Sequence, residues 1–141
     1  MTKLSDMMIC KTLNRGYVSW LYSHSFFRCQ QILTGTEVAV KFINRKRQRR
    51  EETRREFELL LRASGAGGNA ITATARGLFA TASSDAIVLS LVSGVSLFEH
   101  LCDEPRYSEV AVSQYMRQLL EALQHLHKKK IIHLDLKVLY R

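Results

Sequence analysis

Long hydrophobic runs are missing from this 141-residue chain. None approaches the roughly 20 consecutive apolar residues of a membrane-spanning helix, so no membrane partner is expected. The opening MTKLSDMMIC lacks the apolar core of a secretory leader. Cysteine is scarce: Cys10, Cys29 and Cys102 are far apart, odd in number and form no C-x-x-C pair. That pattern argues against disulfides and zinc and for free thiols in a reducing compartment. The expected address is the cytoplasm, with cytoskeleton and nucleus as variants. Proline occurs once, at Pro105, and no segment repeats another.

Acid is in short supply. Against 21 Lys and Arg stand 13 Asp and Glu, a net charge of +8. Five of these charges come from residues 44–55, NRKRQRREETRR, with seven cations and two glutamates. A basic run of this kind suits an acidic partner, a nucleic acid or a nuclear importer. The preferred account is a solvated helix face on which Glu51 pairs with Arg54 or Arg55, and nucleic acid is not an expected partner.

What is present is a chain built to fold. Hydrophobic residues make up 46%, far from the composition of a disordered tail. Residues 37–43, EVAVKFI, alternate as a strand does, with Val38, Val40 and Phe42 on one face and Ala39, Lys41 and Ile43 on the other. Gly35 marks a hairpin turn after a strand near residues 28–33. The spacing of Phe57, Leu60 and Leu61 predicts a helix over 49–63, ended by the small residues of 63–69. Two strands, 75–81 and 86–92, flank a turn at 82–85. A short helix follows, with Ser96 as a candidate N-cap. The longest helix, within 108–130, starts at Ser108 and carries Val112, Met116, Leu119, Leu120, Leu123 and Leu126 as an apolar stripe. The sum is an α+β fold: a small antiparallel sheet with one helix, then a helical region. His125 and His127, two apart, cannot share a helix face and are read as helix-end residues, not metal ligands. No metal ligand is assigned.

Lys41 has an uncommon position. In mid-strand beside the small Ala39, its cationic arm reaches over an open floor suited to a flat ligand with anionic groups beyond. A phosphate-gripping lysine benefits from a carboxylate that fixes its rotamer. Glu56, fifteen residues on, is the preferred partner over Glu58, because Phe57, Leu60 and Leu61 turn the buried side toward its flank.

VAVK (38–41), a helical glutamate and HLDLK (133–137), in this order, resemble a eukaryotic protein kinase of the serine/threonine type. Leu134 between His133 and Asp135 is similar to the myosin light-chain kinase, death-associated kinase and titin/obscurin/Trio group. The resemblance covers residues 29–137 and implies ATP-dependent phosphorylation of protein substrates, with magnesium. It implies that Lys41 binds the α- and β-phosphates and pairs with Glu56, that Ala39 contacts adenine and that Leu89 is the gatekeeper. It further implies that the backbone of Ser90, Leu91 and Val92 meets the adenine edge. Asp135 would orient the substrate hydroxyl and accept its proton, Lys137 would steady the transferring phosphoryl group, and His133 would brace the loop. Residues 1–12 are then expected to form an N-terminal extension, 13–92 the small lobe and 93–141 the start of the large lobe, broken off in the catalytic loop.

Two stretches depart from that pattern. Where the family has a glycine-rich phosphate loop, residues 17–27 are atypical, with five aromatics in eleven positions. Glycine-free backbone there cannot bring amides close to phosphate without strain. After Lys137, VLYR puts Tyr140 where the family has a metal-binding asparagine. Both departures begin near a valine, whose codons start with the GT of an intron, so a truncated gene model or retained intron is one expectation and an evolved inactive regulator the other. The chain is expected to be catalytically dead or nearly so. The alternatives are a non-catalytic nucleotide-binding or scaffold fragment, and an interaction module working through 44–55. The helix at 108–130, without the helices that would cover it, is expected to self-associate or draw chaperones.

Overall fold

The computed structural model describes residues 8–12, 24–64, 72–94, 97–103, 106 and 108–136. They fall into two units. One holds Ala73–Val92 with the described residues before 65; the other holds Thr72 and the described residues from 93 onward.

The first unit is an antiparallel sheet of five strands with one helix. Its strands are β1 (Met8–Thr12), β2 (His24–Gln31), β3 (Glu37–Asn44), β4 (Ala75–Ala80) and β5 (Ser84–Ser90), in the order β1-β2-β3-β5-β4. Gly35, at φ 68°, lets the β2–β3 hairpin close, and its N–H donates to the Gln31 carbonyl at 2.8 Å. A side chain is disfavoured in that left-handed conformation. Helix α1 (Arg50–Ser64) begins one residue later than the apolar spacing predicts. Its start is held by the Arg49 N–H on Glu52 Oε2 at 3.3 Å and by Thr53, fully buried, whose hydroxyl donates to the Arg49 carbonyl.

The alternation of β3 produces two apolar clusters. Val38 and Val40 pack with Cys29, Ala86 and Val88, edged by Phe27, Phe42 and Phe79. On the opposite face, Ile43 joins Ala75, Ile87 and Leu89, with Ala39, Phe57, Leu60 and Leu78 against them. Thus Phe57 and Leu60 of α1 close over Ile43, while Phe42 belongs to the other face and meets Phe27 edge-on at 5.3 Å.

Two sequence expectations are corrected here. Met8–Thr12 is a strand, with Cys10 opposite Cys29 in its register with β2. Cys29 is buried and disulfide-bonded rather than a free thiol; Cys102 is free and exposed. The basic run, in turn, is partly structural. Arg45 spans the β4–β5 turn, donating to Asp85 Oδ1 (2.8 Å), the Thr81 carbonyl (2.9 Å) and the Ser84 carbonyl (3.1 Å). The hydrogen bond to Asp85 raises the Arg45 pKa further above its ordinary value. Arg54 pairs with Glu58 at 3.5 Å, not with Glu51.

The second unit contains α2 (Leu97–Asp103) and α3 (Glu109–Lys128). Ser108 caps α3, its hydroxyl accepting the Ala111 N–H at 3.1 Å. His100 Nε2 lies 2.7 Å from Tyr115 Oη. The apolar stripe divides: Leu126 is buried and Leu119 and Leu123 are half-buried, whereas Val112, Met116 and Leu120 are exposed. Positions 119 and 120 lie about 100° apart around a helix, so one neighbour cannot cover both. The expected Ser96 cap lies outside the described residues.

Burial sets a stability test. Ile87 is fully buried and Leu33 is 89% exposed. Ile87→Ala is expected to cost about 2–5 kcal/mol, and Leu33→Ala less than about 0.5 kcal/mol, measured by urea unfolding.

Candidate active site

Strand β3 sets out the candidate site. Its central position between β2 and β5 places Lys41 opposite Phe26 on one side and Ile87 on the other. Two residues earlier Ala39 is opposite Leu89, and both pack in the cluster beneath α1. The small residue and the leucine therefore form one apolar floor beside the lysine stem.

From that floor Lys41 Nζ reaches Glu56 Oε1 at 2.5 Å. The pair is sheltered, with 14% of the lysine side chain and 31% of the glutamate side chain exposed. Glu56 sits on the side of α1 turned to the sheet because Phe57 and Leu60 anchor the helix there. Glu58 looks outward and is held by Arg54. A charge-assisted hydrogen bond in such partial shelter fixes both rotamers more firmly than the same pair in open water.

Sequence reasoning missed two supports. Gln48 Nε2 donates to the second carboxylate oxygen of Glu56 at 3.4 Å; a glutamine inside a run of arginines gives no signal of this. At the other end of α1 the buried Ser64 hydroxyl donates to the Leu60 carbonyl at 2.9 Å and accepts the Ala75 N–H at 3.3 Å. The helix carrying Glu56 is thus tied to the start of β4.

Strand β5 ends at Ser90, and Leu91 and Val92 continue past it, with Val92 74% exposed. Ser90 is bonded twice to Thr74: its N–H donates to the Thr74 carbonyl at 2.8 Å, and its hydroxyl accepts the Thr74 N–H at 2.8 Å.

Asp135 belongs to the second unit and is exposed. Its N–H donates to the His133 carbonyl at 2.9 Å across Leu134, which has φ 60°. A bond of that span around a left-handed centre makes a γ-turn, a strained form for a leucine. His133 Nδ1, 3.4 Å from the same N–H, lies against the turn. Lys137, Tyr140 and residues 13–23 lie outside the described residues. The structure brings together Lys41, Glu56, Ala39, Leu89 and Ser90 within one unit.

The protein kinase domain model matches residues 22–139. This chain belongs to the protein kinase family. The death-associated protein kinase dapk-1 of Caenorhabditis elegans is 39% identical over 108 residues, covering 74% of this chain and 8% of that protein. Human death-associated protein kinase 2 is 33% identical over 117 residues, covering 78% of this chain and 30% of that one. The chain therefore spans less than a third of the length of either relative. A crystal structure of Rad53 1-466 in complex with AMP-PNP has the same fold, with a TM-score of 0.79, 23% identity, 97% of this chain covered and 34% of that one. The fold class and the resemblance to the death-associated kinase group stand.

Within the family's site the two glutamates of α1 should differ in weight. Glu56→Gln is expected to destabilise the protein by roughly 1–3 kcal/mol, since it leaves a sheltered ammonium without its carboxylate. Glu58→Gln breaks an exposed i,i+4 pair and should change stability by less than about 0.5 kcal/mol. Chemical denaturation of both variants checks the order; equal losses would contradict it.

Proposed function

We propose that this chain is the nucleotide-binding part of an ATP-dependent serine/threonine protein kinase. The sheltered ion pair between Lys41 and Glu56 is the observation that carries this reading. In it, the lysine meets the α- and β-phosphates while Glu56 holds its rotamer. Ala39 and Leu89 give an apolar floor for the adenine ring, and the backbone of Ser90, Leu91 and Val92 faces its edge. Asp135 orients the substrate hydroxyl and takes its proton, and Lys137 steadies the phosphoryl group. Protein substrates bearing serine or threonine follow from the family.

ATP fits the residues present: a cation beside an apolar floor in a partly enclosed site. Magnesium does not have the same support. Among the described residues no group of three or more His, Cys, Asp and Glu comes together, and Tyr140 offers a phenol where the family has an asparagine. We further propose that binding persists in this chain while phosphotransfer stays at background.

Isothermal titration of the 141-residue chain with ATP tests the reading. Wild type should bind, and Lys41→Met should lose about tenfold or more in affinity, the weight of charged hydrogen bonds to phosphate. An unchanged affinity would show that the nucleotide is not held by Lys41. Metal-dependent phosphotransfer abolished by Asp135→Asn would overturn the claim of background activity.

A further inference from the structure

Away from Lys41, the first unit holds a cavity of about 500 Å³ between α1 and the β4–β5 hairpin. A volume of that size is typical of sites that take a compact ligand. Phe57 and Leu61 of α1 and Leu78 of β4 give it an apolar wall. Leu61 remains 46% exposed, so part of that wall stands in water.

At one end the wall is polar. Asp85 lines the cavity, and strand alternation puts it on the face of β5 that carries Ile87 and Leu89, where Phe57 and Leu60 pack. Its side chain is only 3% exposed. Oδ1 accepts from Arg45 Nε at 3.1 Å and Nη2 at 2.8 Å. Oδ2 is buried and has no hydrogen-bond partner among the described residues. Buried acceptors are normally paired, and leaving one unmet is costly. Across the ladder from Asp85 stands Ala80, whose methyl group leaves room beside the carboxylate.

The charges around the cavity already balance. Arg45 meets Asp85 and Arg54 meets Glu58, while Arg50 and Glu51 on the exposed rim offset each other. A charged ligand gains little from such a lining; what is unmet is one hydrogen-bond donor beside apolar side chains. A neutral ring with an N–H at its edge supplies both parts. Strand β4 is the edge of the sheet, so a polypeptide can pass outside it and turn one side chain inward. We propose that this cavity takes the tryptophan side chain of a partner protein, the ring lying against Leu61 and Leu78 and the indole N–H donating to Asp85 Oδ2. Indole nitrogen is a donor only, and buried tryptophans are frequent anchors of protein interfaces. The proposal is independent of the nucleotide reading, since none of these residues belongs to the Ala39–Lys41 floor.

The test titrates the whole chain, by ligand-observed NMR, with N-acetyltryptophanamide, indole and benzofuran, the last having the shape of indole with oxygen in place of the N–H. Wild type should bind the first two and prefer indole to benzofuran about tenfold, the weight of a hydrogen bond to a charged acceptor. Asp85→Asn keeps a carbonyl for Arg45 and sets an NH₂ where Oδ2 stood, so the preference should vanish. Leu61→Gln, at an exposed position that folding tolerates, should weaken indole and benzofuran alike and locates the site even should the asparagine variant not fold. Equal binding of indole and benzofuran by wild type, or a preference that survives Asp85→Asn, overturns the role of Oδ2. Indole affinity unmoved by Leu61→Gln overturns the placement. Binding of free indole without binding of N-acetyltryptophanamide overturns the polypeptide occupant, and no binding of any of the three overturns the site.

Discussion

The ion pair between Lys41 and Glu56 can form only if β3 and α1 are held at one distance, and most of the first unit serves that condition. Ile43, Ile87 and Leu89 give α1 an apolar seat, into which Phe57 and Leu60 pack. Gln48 steadies the glutamate from the chain leading into the helix, and Ser64 pins the helix end to β4. Arg45 does for the sheet what these do for the helix, gathering the β4–β5 turn so that β5 lies in register beside β3. Loss of the seat would separate the charges; loss of the charges would leave the seat standing.

The floor of the site follows from the same register. Since Ala39 faces Leu89 and Lys41 faces Ile87, the side chains on this face of β3 alternate between apolar support and charge. An adenine-sized ring and its phosphates differ in polarity in the same order.

Local pattern made much of this legible. Alternation within EVAVKFI assigned the two faces of β3, and the apolar positions 57, 60 and 61 singled out Glu56 over Glu58. Non-local pairing was not legible. Arg45 reads as one more cation in a basic run until the β4–β5 turn and the start of β5 are folded beside it. Ser90 finds Thr74 sixteen residues back. Helical spacing also overgroups: it joined Leu120, which is exposed, to Leu126, which is buried. Leu134 gave no local hint of its left-handed turn, a conformation that a leucine does not favour.

The central claim is that Lys41 serves the phosphates because Glu56 holds it there, which makes the two residues one functional unit. A double-mutant cycle on ATP affinity, using Lys41→Met, Glu56→Gln and the combination, tests it most directly. The account predicts that each single change weakens binding and that the double variant is little worse than Lys41→Met alone. Losses that simply add, or an affinity untouched by Glu56→Gln, would contradict it.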